Sequence, residues 1–340
     1  MPCLVRPVGS VPSLGHPLVD EYLRFTAARV RSNTLTAQVF DLKVFFTMVP
    51  KAPQEVTVTD VLSFIEAQRS PRRGGNVIRL ADGEAGLAAA TIKRRLATVS
   101  SLFDYLFLRG ICDRNPVPRS LGARHARPDG RGHGGRRGAP LVRAPRKLPR
   151  VLAPAEVNAL TGALRTDRDR AMVALMVHGG LRRCEVLGLR FEHVQVGDRR
   201  VFVADGKGGH QRLVPVADVF FTTLASYLGR ERPTEAIDDH VFVVLKGPNR
   251  GRPLTAAGLD EVMAGARGRA GLTHASCHEL RHTCFTRLRE AGMALEAIQA
   301  QAGHASIETT RVYLHLSNDW LAGEYQRAMA ILDGLHEEEP

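Results

Sequence analysis

The spacing of apolar positions divides the chain into two helix-rich halves, separated by a stretch with no apolar period. In the first half, Leu18, Val19, Tyr22, Leu23 and Phe25 predict one helix. Leu35, Val39, Leu42 and Phe46 recur at i, i+4, i+7 and i+11 and predict a second, which Pro50 ends. Thr59 is placed to cap a third, short helix carrying Val61, Leu62 and Ile65, and a polar, glycine-containing excursion follows over 70–86. The strongest period starts near Ala88. It sets Ile92, Leu96, Val99, Phe103 and Leu106 on one stripe, with Gly110 where a left-handed C-terminal residue is wanted. Together these predict a small all-α domain over 18–115, preceded by a loose arm over 1–17.

In the second half a helix opens at Pro154, and another over 168–178 carries Ala171, Val173, Leu175 and Met176 until Gly179 and Gly180 break it. Arg182 follows at the turn, and 184–189 begins a new helical piece with Glu185. The period then changes to two: 200–204 and 212–216 flank the turn DGKGG and predict a hairpin with Lys207 near its tip. A further strand is expected over 241–245, and helices over 219–228 and 255–270. A helix over 278–290 ends at Gly292, another over 294–302 ends at Gly303, and Tyr313 closes a shorter one. The expected fold is therefore an all-α first domain plus a mixed α/β, mainly helical second domain over 151–340 with a small antiparallel sheet.

A chain of 340 residues with 44% hydrophobic content can bury a core in each of two domains. No run of about eighteen apolar residues could span a bilayer, and the N-terminal stretch lacks the apolar core of a signal peptide, so a cytoplasmic protein is expected. The five cysteines are odd in number and scattered, with no C-x-x-C pair, which predicts reduced, mostly buried thiols. Net charge changes the picture more. It is +12, and 116–150 holds ten Arg or Lys against the single acid Asp129, a surplus of +9. With six Gly and six Pro, that segment reads as a linker, and its arginines, Arg131, Arg136 and Arg137 among them, suit non-specific contact with a phosphate backbone. Lys93, Arg94 and Arg95 on the fourth helix read either as a solvated face or as DNA contacts.

Reactive side chains concentrate in 277–316, which holds His278, Arg281, His282, His304 and Tyr313. Two chemistries are open there. His278-Glu279-Leu280-Arg281-His282 satisfies H-E-x-x-H, the pattern of a zinc hydrolase with Glu279 as base and Glu290, Glu296 or His304 as third ligand. The other is metal-free phosphoryl transfer. Arg182 and Arg281 would clamp the non-bridging oxygens of a phosphodiester, a tyrosine would attack, and Lys207 would give the leaving oxygen its proton. Singly, each has an ordinary explanation: Arg182 as an ion pair with Glu185, Lys207 as turn decoration, Tyr313 as packing.

Jointly they form a pattern. GGLRRCEVLGLRFEHV, GKGGHQRLVPV, HELRHTCFTRLREAG and QAGHASIETTRVYLHL stand in the order and rough spacing of the tyrosine recombinase, or phage integrase, family, which this chain resembles. TLTAQVFDLKVFF and TIKRRLATVSSLFDYLFLRGICDRNP are similar to the helical core-binding domain of the Xer recombinases and related integrases. The resemblance implies an enzyme that cuts and rejoins double-stranded DNA, with no cofactor or metal. Arg182 and Arg281 would clamp the scissile phosphate and Lys207 would protonate the leaving 5′ oxygen. His278 would assist the tyrosine proton, His304 would hydrogen-bond the phosphate, and Tyr313 would form a 3′-phosphotyrosyl bond, with Glu185 and His282 as supports. It also implies a C-shaped clamp and tetramers on two DNA sites that exchange a C-terminal helix, here over 318–335. Gln301 and Ala302 depart from the two leucines of many members, which bears on local helix packing. The long basic linker fits a mobile-element integrase or a transposase at least as well as dimer resolution, and a type IB topoisomerase shares the chemistry.

Overall fold

Helix α4, Ala89–Leu108, forms where the apolar stripe predicts it: Ile92, Leu96, Val99, Phe103 and Leu106 are all buried and Gly110 has φ +66°. The computed structural model describes residues 11–70, 86–118, 141–143, 149–206, 211–236, 238–304, 307–310 and 329. The chain divides into two compact units, Met1–Arg146 and Lys147–Pro340.

In the first unit α1 (Pro17–Ala27), α2 (Ser32–Met48), α3 (Val58–Arg69) and α4 enclose one apolar core. Two details differ from the expected faces. Phe45, not Phe46, is the aromatic that α2 buries, and it meets Phe64 edge-on at 5.0 Å between ring centres. The cap of α3 is Thr57 rather than Thr59. Thr57 and Asp60 close a reciprocal capping box, which starts the helix earlier and turns Phe64 inward while Leu62 faces out. Leu14, within the stretch expected to be a loose arm, is 2% exposed, with Asp20 accepting from its N–H. Val117 and Val142, at either end of the stretch read as linker, also join this core.

The second unit is built on α6, Asp167–His178, whose residues from Ala171 to Val177 are all buried, as befits a helix with neighbours all round. It packs against α8 (Asp218–Arg230) and α10 (Cys277–Glu290). The unit also contains α5 (Pro154–Gly162), α7 (Arg183–Leu187), α9 (Ala256–Arg269), α11 (Leu295–Ala302) and α12 (Ile307–Thr310). Among the described residues the sheet has three strands, β1 (Val194–Gln195), β2 (Arg200–Val203) and β3 (Arg212–Pro215), antiparallel in that order, with Val201 opposite Val214 on the buried face. The expected hairpin is thus present, and the very short β1 joins it.

The strand expected over 241–245 does not form a ladder. Val241, Phe242 and Val243 are wholly buried, but within the stretch only Val243 forms a bridge, to Pro253, and the hydrogen bonds of Val244 with Arg252 and Gly251 close the chain into a turn that ends the pairing. The thiols are also less enclosed than expected: Cys284 is buried, Cys112 and Cys277 are half-buried and Cys184 is exposed. Among the described residues no helix is long and apolar enough to cross a membrane.

Candidate active site

The site begins where α6 stops. Gly180 has φ +67°, and a Cβ there would lie 2.4 Å from the Phe285 ring of α10, so only glycine lets the chain turn this close. The turn makes Arg182 the N-cap of α7. Glu185 reaches back to accept from the Arg182 N–H (2.8 Å) and guanidinium (2.7 Å). Ser276 and Glu279 form the equivalent box at the start of α10, and one turn on Arg281 enters the interior, 3% exposed. Its guanidinium donates to the carbonyls of Gly180 and Ala302 and lies 4.8 Å above the Phe285 ring.

The C-terminal end of α11 organises what surrounds it. Gly303 adopts the left-handed cap expected of it, and three successive carbonyls each accept from a different arginine. Arg212 Nε donates to Gln301, Arg281 Nη2 to Ala302 at 2.6 Å and Arg182 Nη2 to Gly303 at 3.4 Å. These are the carbonyls that a helix leaves without partners, at the negative end of its dipole, so cations are favoured there. Gln301 and Ala302 cause no packing defect: Ala302 is fully buried, and the Gln301 amide donates to the Gly179 carbonyl.

Glu185 is the counter-charge. Its side chain is fully enclosed and accepts from Arg182 and from both terminal nitrogens of Arg212, with Arg281 3.9 Å away. Burial pushes its carboxyl up. The Arg212 hydrogen bonds, the Arg182 N–H and the two guanidinium charges outweigh burial and hold it down at about 2.

His304 leaves α11 beside Arg281. Its Nε2 lies 3.3 Å from Arg281 Nη2 and its Nδ1 lies 2.9 Å from the Thr310 hydroxyl. Burial, then the charges of Arg281 and Arg182, lower it to about 4, so the ring is neutral near pH 7. A neutral ring that accepts from Arg281 at Nε2 carries its proton on Nδ1 and donates to Thr310. His278 and His282 meet Nε2 to Nε2 at 2.9 Å. Burial and the Arg281 charge lower His278, while burial and then His278 lower His282 to about 4.

The H-E-x-x-H geometry is not that of a zinc hydrolase. Glu279 is turned back to the Ser276 N–H as a cap, at 2.7 Å, and cannot serve as base between the histidines. Arg281 stands on the same helix beside them. The only trio of His, Cys, Asp or Glu able to share an ion among the described residues is Asp238, Asp239 and His240, away from this helix.

The site therefore gathers Arg182, Glu185, His278, Arg281, His282 and His304. Lys207 and Tyr313 lie outside the described residues, as do Arg131, Arg136, Arg137 and the tail helix expected over 318–335 except Met329. In the first unit Lys93 is exposed and Arg94 is half exposed with one nitrogen on Asp41. Arg95 is a correction. It is 7% exposed, bonded to Gln68 at 2.8 Å and facing the fully buried Asp41, so it braces α2, α3 and α4 rather than facing DNA. Arg212 was missed. The signal for it was period two: with Val214 facing inward, Arg212 shares the buried face and must find a carboxylate there.

The phage integrase family matches residues 150–319. A protein of Serratia marcescens named tyrosine recombinase XerC is 29% identical over 93% of this chain and 95% of its own. One of the same name from Yersinia pestis is 30% identical over 72% and 74%. The solved structure of a Tn1549 transposon integrase in complex with transposon right end DNA shares the fold, with TM-score 0.68 at 17% identity over 92% of this chain and 98% of that one. The arginine-lined centre thus lies within a family match that spans half the chain, and the chain belongs to the phage integrase family, the tyrosine recombinases.

Proposed function

We propose that this recombinase cuts and rejoins double-stranded DNA at specific sites by transesterification, with Tyr313 as nucleophile. The observation that carries this reading is the convergence of Arg182 and Arg281 on Glu185 and the end of α11, with His304 against Arg281. Two guanidinium groups fixed by buried partners form a preorganised cradle for the charge that spreads over the phosphate in the transition state. His278, held neutral, accepts the Tyr313 proton. The tyrosine oxygen then attacks phosphorus, the 3′-phosphotyrosyl bond forms, and the bond to the 5′ oxygen breaks as Lys207 protonates it. His304 hydrogen-bonds a phosphate oxygen, which requires its proton on Nε2 and its present contact with Arg281 to give way. Glu185 and His282 support these groups.

In this reading 18–115 is the core-binding domain, 116–150 a linker whose Arg131, Arg136 and Arg137 add affinity without sequence choice, and 151–340 the catalytic domain. Lys93 and Arg94 contact phosphates, and four recombinase subunits, as a homo- or hetero-tetramer, act on two DNA sites, passing the helix over 318–335 to a neighbour. The guanidinium charges replace a metal, so cleavage persists in chelator. Arg182→Ala and Arg281→Ala test the cradle. Each should bind a nicked recombination site yet cleave it at least about 10²-fold more slowly. Lys207→Ala should be rescued in part when the bridging 5′ oxygen is replaced by sulfur, which leaves without a proton. Cleavage at the wild-type rate by either arginine variant would reject the cradle.

A further inference from the structure

Arg212 opens β3 with its side chain only 8% exposed, and none of the chemistry above uses it. Every nitrogen of its guanidinium has a partner. Nη1 and Nη2 grip the two oxygens of Glu185 at 3.1 and 2.9 Å, and Nε donates to the Gln301 carbonyl at 2.8 Å. A Cβ on Gly303 would come within 3.0 Å of it, so the left-handed glycine that caps α11 also leaves room for this arginine.

Two lines of contact run outward from Arg212. Through Glu185 it reaches both the backbone N–H and the guanidinium of Arg182. Through Gln301 it reaches the end of α11, whose next two carbonyls hold Arg281 and Arg182 and whose next residue is His304. We propose that Arg212 is a positioning residue for the phosphate cradle: it orients the Glu185 carboxylate that holds Arg182 and pins the α11 terminus that holds Arg281, while touching no DNA itself. This rests on the assignment of Arg182 and Arg281 as phosphate ligands.

Without the two-pronged grip, Glu185 takes its remaining hydrogen bonds from Arg182 and draws that guanidinium away from the phosphate. A shift of about 1 Å at a reacting centre can cost about 10²-fold in rate. Protonation offers an independent readout. The groups that face Glu185 are Arg182 from its own element, Arg212 from β3 and Arg281 from α10, with His304 beyond Arg281. Removing Arg212 leaves burial less opposed, so the carboxyl rises and the cradle loses its counter-charge on mild acidification.

The experiment measures covalent adduct formation at saturating nicked duplex, and duplex affinity, between about pH 5 and 8. The variants are Arg212→Met, Arg212→Lys, Arg212→Met with Glu185→Gln, and Arg182→Ala. Arg212→Met should lose about 10²-fold in cleavage rate with affinity held within about twofold, and its rate should fall more steeply than wild type as pH drops. Glu185→Gln in that background should restore part of the rate, because no buried carboxylate is left short of partners. Arg212→Lys keeps the charge without the planar fork and should fall between. A purely structural role would lower stability without changing the pH profile or separating rate from affinity. Wild-type cleavage by Arg212→Met, loss of affinity in step with rate, or an unchanged pH profile overturns the proposal. If Arg212→Met does not fold, Arg212→Lys carries the test, and wild-type rate and profile in that variant overturn it equally. Wild-type cleavage by Arg182→Ala would remove the cradle and this role together, whereas an inactive Arg182→Ala beside a normal Arg212→Met would reject this role alone.

Discussion

Replacing Glu185 by Gln keeps the shape of the side chain and removes the one carboxylate shared by Arg182 and Arg212. The cost follows from its carboxyl, which is held at about 2 against an ordinary value of 4.5. That lowering corresponds to about 3 kcal/mol of native-state stabilisation at neutral pH, and the enclosed side chain leaves little for solvent to screen. The sign is definite. A depressed carboxyl contributes fully above the unfolded value and loses its contribution as pH falls from 4.5 toward 2. Denaturant-dependent hydrogen exchange of the α6 and α7 amides reads the opening free energy of this unit alone. Wild type should exceed Glu185→Gln by about 3 kcal/mol near pH 7, and the gap should shrink by about 1 kcal/mol or more on reaching about pH 3.5. A gap that stays constant over that range would show that Glu185 owes nothing to its ionised contacts with the arginines.

Other substitutions test the local geometry. Gly180→Ala must place a Cβ against the Phe285 ring at positive φ, and should cost at least about 2 kcal/mol by the same exchange measurement; a neutral effect would mean that the turn is not so constrained. Thr57→Ala should destabilise the first unit by about 1 kcal/mol in urea unfolding, whereas Thr59→Ala should change it by no more than about 0.5 kcal/mol, and equal effects would contradict the capping box at Thr57. His304, lowered to about 4 by burial and the neighbouring arginines, should keep a neutral ring in NMR titration down to about pH 5. Because its folded value lies below the ordinary 6.5, acidification through that window works against folding, and a ring that titrates near 6.5 would place it in solvent.

Much of this was legible in the sequence, for reasons that differ by element. The α4 stripe could be read because a helix flanked by others on one side must repeat its apolar residues at helical spacing. The hairpin could be read because period two and a glycine-rich turn coincide. The cap of α3 was misplaced because Thr57 and Thr59 are equivalent as letters, and only the partner at Asp60 selects between them. Phe45 and Phe46 are adjacent, so spacing alone could not tell which faces in. The stretch over 241–245 has the composition of a buried strand, but the chain turns back on it after a single bridge, and composition does not reveal how far a partner runs alongside. At the site, Arg182, Arg281 and His304 were conspicuous through their motifs. Arg212 was not, because it acts through Glu185, a buried carboxylate distant in sequence; in the first unit Arg95 was noticed but misread for the same reason, its partner Asp41 being buried and distant in sequence.

The most direct test of the proposed chemistry is covalent capture. Wild-type protein is incubated with a nicked duplex that lets the strand beyond the cut diffuse away, and the adduct is digested and sequenced by mass spectrometry. The wild type should carry a 3′-phosphate ester on Tyr313, and Tyr313→Phe, which loses one hydroxyl and no charge, should bind the duplex with similar affinity and form none. An adduct that persists in Tyr313→Phe, or one that maps to Tyr325, would contradict Tyr313 as the nucleophile.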